Sequence, residues 1–413
     1  MESVIRRGTP ETIHKLGNML DAVFRPKQRP GEGMPREFPH LFSEQNAHNL
    51  YYMADGEQPV SMVGVLVQEV LFQGISMPVA SIGSVGTLPA YEGQRLVSRI
   101  LDRVTADLTD QRIPLMLVSG DRGLYRRAHC TPVGRMFEVE VTADLARRMR
   151  AGPSAAVDLS AQVESATETA LRAQAVPAAK GGLSAAADPP TQVDLSPEST
   201  LRAREIPADR RASSAGRLLP LYHSEPYRYR RTEREFAVLL NALWFARQDY
   251  DQRLFEVADG GRPLSYAVGY ARRSAPETVE VMEYAGSRLA YLRTLTDILQ
   301  AFSARVIRFH VHIRDIEMLH LLEKWGVSPR PTTLQGTVRV LHAPTLFQVL
   351  QPLIREQSGV AATVREQGGT WDITLGTTRR ICATPEEVVA WLFNNDEGCL
   401  GIPFVHTDDL NYI

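Results

Sequence analysis

The chain has 413 residues, 44% hydrophobic and 23% charged, with 46 Lys and Arg against 48 Asp and Glu and a formal net charge of −2. That is the composition of an ordinary globular protein with room for two to four domains, each with its own core. No concentrated basic excess marks nucleic acid or an anionic membrane as the main partner. The three cysteines, Cys130, Cys382 and Cys399, lie far apart without a CxxC pair, which fits a reducing compartment better than a secreted scaffold. The first twenty residues lack an apolar leader, and the longest apolar stretch, VSMVGVLVQEVLF, is interrupted by Gln68 and Glu69, so a cytoplasmic location is expected.

Residues 1–147 are dense in strand and helix patterns. A short strand is expected over Ser3 to Arg7, then a helix capped by Thr9, with Pro10 at its first position and Glu11 in its first turn, running to about Phe24. Two apolar runs separated by Asp55-Gly56, and a third after a turn at Gly74, predict an antiparallel meander. Leu96, Ile100, Val104 and Leu108 repeat at helical spacing, IPLMLVSG reads as a short buried strand, and FEVEV as a final one. Residues 148–198 are rich in Ala, Ser, Pro and Thr, cannot bury enough surface to order themselves, and read as a linker. The linker carries an imperfect duplication, VDLSAQVESATETALRAQAVPA against VDLSPESTLRAREIPA.

Residues 199–340 return to a globular pattern in an order resembling the first segment. Strands are expected in LRAREIP, LFEVADGGRPLSYAVGYARR, VEVMEYAG and RVIRFHVHI, and helices in RRASSAGRLLPLYHSE and LAYLRTLTDILQAFSA. Residues 341–413 hold a helix in TLFQVLQPLIREQ, strand pairs turning at Gly368-Gly369, a helix in TPEEVVAWLFNN and the tail GIPFVHTDDLNYI.

The chemistry concentrates in SIGSVGTLPAYEGQRLVSRIL and, about twenty residues on, LMLVSGDRGLYRRAHCTPVG. A strand, a Pro-containing turn and a glycine at a helix start expose backbone N–H groups and a positive helix end to an anion such as pyrophosphate. Tyr125 follows a buried strand, where its hydroxyl can meet a ligand bound at the first stretch. Together these resemble the GCN5-related N-acetyltransferase superfamily, whose acetyl-coenzyme A loop is Arg/Gln-x-x-Gly-x-Gly/Ala. Laid on that loop, Glu92, Arg95 and Val97 stand at its three defining positions, with Gly93, Gln94, Leu96 and Ser98 around them. Glu92 would repel a phosphate, whereas Arg95 can donate its guanidinium to one.

The length, the two acetyltransferase-like halves and the small last domain further resemble the enhanced intracellular survival protein family. The resemblance implies an α/β (α+β) fold: two tandem acetyltransferase-like mixed-sheet domains, 1–147 and a degenerate 199–340, and a sterol-carrier-like α/β domain, 341–413. It implies acetyl-CoA as co-substrate, no metal, direct attack of a small-molecule or peptide amine on the thioester, and homo-oligomers. Val85, Gly86 and Thr87 would hold the pantetheine arm and polarise the carbonyl. Tyr125 would protonate the thiolate as general acid, and the carboxylate of Ile413 would take the proton of the attacking ammonium, directly or through water. Two alternatives stand beside this: a catalytically silent protein binding a small apolar or cationic ligand, and an enzyme using a longer acyl donor. His310 and His312 share one side of a strand with His320 on the next helix, and half-buried strand histidines are expected rather than a metal site. Cys130 reads as a packed thiol, and Trp371, Trp391 and Phe393 as core of the last domain in preference to walls of an apolar cavity.

Overall fold

The structure, a computed structural model, describes residues 4–118, 123–152, 201–242, 249–334, 336–407 and 409–413. Residues 153–198 of the expected linker, with most of the duplication, lie outside the described residues. Its first residues do not: helix α5 (Ala143–Ala151), capped by the Thr142 hydroxyl, runs into them.

The first sheet is built on the expected meander: β2 (Leu50–Asp55), β3 (Gln58–Phe72) and β4 (Ile75–Thr87), with β1 (Arg6–Arg7) beside β2 and β5 (Leu115–Val118) parallel to β4. Side chains alternate along β3. Met62 and Leu66 face helix α1 (Ile13–Phe24), while Val63 and Val65 face α3 (Leu96–Asp110), whose Leu96, Ile100, Val104 and Leu108 supply the expected stripe. Helix α1 starts later than its Thr9-Pro10-Glu11 pattern predicts. Thr12 Oγ1 accepts from Thr9 N at 2.8 Å and donates to Thr9 O at 3.0 Å, so residues 9–12 form a separate turn.

The second sheet repeats the scheme with β9 (Tyr250–Asp259), β10 (Arg262–Arg272), β11 (Ala275–Gly286) and β12 (Val306–His312), the last two parallel, and β7 (Ala203–Ile206) at its edge. The helix expected over LAYLRTLTDILQAFSA is two, α8 (Arg288–Arg293) and α9 (Leu295–Phe302). They part at Thr294, whose hydroxyl donates to Ala290 O at 2.9 Å and Tyr291 O at 3.0 Å in competition with the helix ladder.

The two sheets exchange strands. The FEVEV strand forms, as β6 (Met136–Thr142), yet pairs with β12 and not with β5. In return β14 (Thr337–Val340) pairs with β5, and β8 (Tyr227–Tyr229) pairs with the far end of β3. The patterns did not point to β8, to β14, or to β13 (Arg330–Thr332), because three or four residues are too few to show a period.

The last segment is the expected helix α11 (Ala343–Ser358), a three-stranded meander β15 (Ala362–Gln367), β16 (Thr370–Leu375) and β17 (Thr378–Cys382), and helix α12 (Pro385–Phe393). Its core, including Phe347, Trp371, Trp391 and Phe393, is continuous with Val70, Phe72 and Met77 of the first sheet. Phe404 joins the two: its ring meets Phe72 edge-on at 5.7 Å and Phe393 at 5.1 Å. Phe404→Ala is expected to lower unfolding stability by about 3–5 kcal/mol, the cost of a buried phenyl cavity, read as a fall in the denaturation midpoint. An unchanged midpoint would show that Phe404 does not join these layers.

Candidate active site

Strands β4 and β5 are paired from Val79–Leu115 to Ile82–Val118, and β4 continues from Gly83 to Thr87 with no further parallel partner on that side among the described residues. A bulge turns it away. Met62 faces Gly86 and Gly64 faces Gly83, so Ser84 and Val85 together oppose Val63, with Ser84 at φ +52°. Thr87 is held against β3 by the contact of its hydroxyl with that of Ser61 at 2.9 Å. The chain passes through a turn at Pro89–Tyr91, then exposed Glu92, Gly93, Gln94 and Arg95, into α3. Gly93 sits at φ +77° and Arg95 at φ +58°, ψ +25°, so Arg95 adopts the left-handed backbone that a glycine takes without strain. No side chain caps α3 and no acidic residue lies in its first turn, which leaves the amides of Leu96, Val97 and Ser98 open to an anion.

Tyr125 is buried in the apolar cluster on the α3 face, with Ile82, Val118 and Cys130. Ile413 belongs to the cluster on the α1 face, with Leu16, Leu20 and Met62. The two residues lie on opposite faces of the first sheet: Tyr125 shares the α3-side cluster with Ile82 of β4, while the next residue, Gly83, meets Ile413. A Cβ on Gly83 would overlap the carboxyl carbon and oxygen of Ile413, so only glycine admits this approach.

The tail that brings Ile413 here is tied by charge. Arg231, 2% exposed, donates from both terminal nitrogens to the carboxylate of Glu283 at 2.8 Å and from Nε to Asn411 Oδ1 at 2.7 Å, and it lies 3.4 Å from Asp409 Oδ2. Its guanidinium stacks over Tyr222 at 3.8 Å. Burial opposes its charge, but the carboxylates of Glu283 and Asp409 outweigh burial and hold the guanidinium protonated. Glu283 also accepts from Tyr266 OH at 2.7 Å and Leu410 N at 3.2 Å. Beside Ile413 is a cavity of about 10 Å³ lined by Ser81, Leu117, Tyr229, Thr407 and Asn411 among others. Ser84 Oγ, Asn411 Nδ2 and both ring nitrogens of His40 are buried without a hydrogen-bond partner among the described residues.

The second sheet splays in the same way, its β11–β12 pairing ending at Val281–Phe309. A cleft of about 390 Å³ opens there, lined by Tyr227, Tyr284, His310, His312 and His406 among others. The tail forms one wall: His312 Nε2 donates to Phe404 O at 2.8 Å while its Nδ1 accepts from Arg314 N at 3.2 Å. Burial pushes His312 down to about 4 and His406 to about 3, and it lowers His310. His320 is exposed, 3.8 Å from Glu323. Among the described residues no group of three or more His, Cys, Asp or Glu side chains gathers to hold a metal. Burial pushes the Cys130 thiol up to about 12, which keeps it a packed, protonated group.

Sequence reasoning missed Arg231, Glu283, Asp409, Asn411 and Gly83. Asp409 and Asn411 carried a readable mark, polar residues flanking Leu410 in a tail that ends Leu-Asn-Tyr-Ile, whereas Arg231 is one of four arginines in RYRRTER and nothing in the pattern singles it out.

Residues 4–133 match the acetyltransferase (GNAT) domain family. No curated protein matches the chain. Solved structures share its fold. A GCN5-related N-acetyltransferase from Anabaena variabilis aligns at TM-score 0.55 and 14% identity, over 92% of this chain and 84% of that one. Eis1 from Mycobacterium abscessus aligns at TM-score 0.54 and 11% identity, over 92% and 85%. A conserved Enterococcus faecalis protein described as a probable N-acyltransferase aligns at TM-score 0.54 and 16% identity, over 83% and 74%. At these identities the likeness is one of fold, here a mixed α/β fold with tandem sheets.

Two outcomes are expected. Arg95→Gly relieves a left-handed backbone and should raise stability by about 0.5–1 kcal/mol, read as a higher melting temperature. His312 and His406 stay neutral in the native state while their unfolded counterparts titrate near 6.5. Their contribution is therefore complete above pH 6.5 and lost as pH falls toward 4, because the unfolded chain binds protons the native one refuses. Urea midpoints between pH 7 and 4.5 should fall less steeply in His406→Asn than in the wild type, and parallel slopes would contradict this.

Proposed function

With a GNAT acetyltransferase domain over residues 4–133 as the premise, we propose that the protein transfers an acetyl group from acetyl-CoA to an amine of a small molecule or peptide. The observation that carries this reading is the seating of the buried Ile413 carboxyl on Gly83 of β4, the strand that leads through Pro89–Tyr91 into the uncapped start of α3. The residues fit the co-substrate. Open amides of Leu96, Val97 and Ser98 suit a pyrophosphate, Arg95 adds a solvent-facing cation, and Glu92 is exposed where water and salt screen its repulsion.

In this reading the backbone of Val85, Gly86 and Thr87 binds the pantetheine arm and polarises the thioester carbonyl. The amine nitrogen forms a bond to the carbonyl carbon, the carbon–sulfur bond breaks, and Tyr125 donates the proton that turns the leaving thiolate into a thiol. The carboxylate of Ile413 takes the proton the attacking nitrogen gives up. Ile413 is 3% exposed, so the proton it takes is kept from bulk water. We read the protein as cytoplasmic, given its three free cysteines, and its last domain as sterol-carrier-like.

A second reading is favoured by the cleft in the second sheet, which is large enough for a small ligand: a catalytically silent binding protein for an apolar or cationic molecule.

Calorimetric titration with acetyl-CoA separates the two. Saturation near one equivalent is expected, with equal or tighter binding by Arg95→Gly; no binding by the wild type, restored in Arg95→Gly, would overturn the enzyme reading. With spermidine, kanamycin and a lysine peptide as acceptors, Tyr125→Phe, Gly83→Ala and a chain lengthened by one glycine after Ile413 should each lose about 100-fold or more in kcat. Wild-type turnover by all three variants would contradict the assigned roles.

A further inference from the structure

Given the reading of Ile413 as proton acceptor, on which this inference rests, we propose that Arg231 and Asn411 are positioning residues that seat one water molecule against the Ile413 carboxylate and complete its proton path. A guanidinium can only donate, so the 2.7 Å contact from Arg231 Nε fixes the oxygen of the Asn411 amide on that side and turns its NH2 group away. That NH2 is buried without a partner among the described residues, and Asn411 lines the cavity beside Ile413. The cavity measures about 10 Å³, close to the least space one water occupies. A water needs two to four polar partners, and polar residues line this wall: Asn411 and Ser81, whose Nδ2 and Oγ are buried without a partner among the described residues, with Tyr229, Thr407 and Ile413 beside them.

The water accepts from Asn411 and donates to the carboxylate. In transfer, an N–H bond of the acetylated nitrogen breaks, the proton passes to the water, and a water proton moves to Ile413, so one O–H forms for each N–H lost and nothing is oxidised. Arg231 touches none of these atoms. Its part is to hold the amide in one of two otherwise equivalent orientations, and Glu283, gripping both its terminal nitrogens, holds Arg231 itself.

Asn411→Asp tests this, because it keeps an oxygen for Arg231 and the same shape but removes the NH2 donor and sets a second carboxylate beside the first. The readout is the 13C titration of the terminal carboxyl in protein labelled with [1-13C]isoleucine. The apparent pKa is expected to rise by at least about one unit in Asn411→Asp, as for carboxylates sharing a site, with little change in melting temperature. Ser81→Ala leaves the Arg231 contacts intact and carries the test if Asn411→Asp does not fold; its kcat with spermidine should fall about tenfold with KM for acetyl-CoA unchanged. Wild-type titration in Asn411→Asp, or in its place wild-type kcat in Ser81→Ala, overturns the proposal. The chain lengthened by one glycine distinguishes the two levels. If lengthening abolishes transfer while these variants behave as wild type, only the seated water fails; if the lengthened chain turns over normally, the reading of Ile413 fails and takes the water with it.

Discussion

A guanidinium sealed from solvent must be paired, and the pairing of Arg231 organises this molecule. Its partners come from separate parts of the chain: Glu283 from β11 of the second sheet, Asp409 and Asn411 from the tail, and Tyr222 from the helix that precedes it. Such a cluster is weak evidence for net stability, because desolvating the charges offsets much of their attraction, but removing one partner leaves an uncompensated buried charge. What the cluster supplies is a unique arrangement. The tail can take one register against the second sheet, and that register sets Ile413 on Gly83 of the first.

The second sheet gains a purpose from this. It keeps the parallel β11–β12 pair and its splay, yet chain crosses the opening: Phe404 accepts from His312, and Leu410 donates to Glu283. The sheet thus seats the tail that reaches Gly83 of the first sheet. Strand exchange makes this seat dependable, because β6 in the second sheet and β8 and β14 in the first leave neither sheet built from one stretch of chain. The last segment packs on β3 through Phe72 and Phe404, so the tail starts from a fixed base.

Periodicity made much of the fold legible. The β2–β4 meander, α3 and the β9–β12 succession each span enough residues for period 2 or 3.6 to show. The site was legible in part: the loop at Glu92–Ser98, Tyr125 and Ile413 could be named before any coordinates, and the structure locates the first at an uncapped helix start and the others on opposite faces of β4. Strand exchange was hidden, since the pattern of FEVEV tells that it is a strand but not which partner lies beside it. Arg231 was hidden for a different reason. Its meaning lies in contacts to positions 52, 178 and 180 residues away, and no local pattern records them.

The most direct measurement is a crystal structure of the protein with acetyl-CoA and its thiol product. The pyrophosphate is expected on the amides of Leu96 to Ser98, the pantetheine along β4 beyond Ile82, and the sulfur between Tyr125 and Ile413. Coenzyme bound instead in the β11–β12 cleft, or a tail displaced from Gly83 by its binding, would contradict the proposed role of the second sheet, which is to hold Ile413 at the acetyl-CoA site proposed on the first.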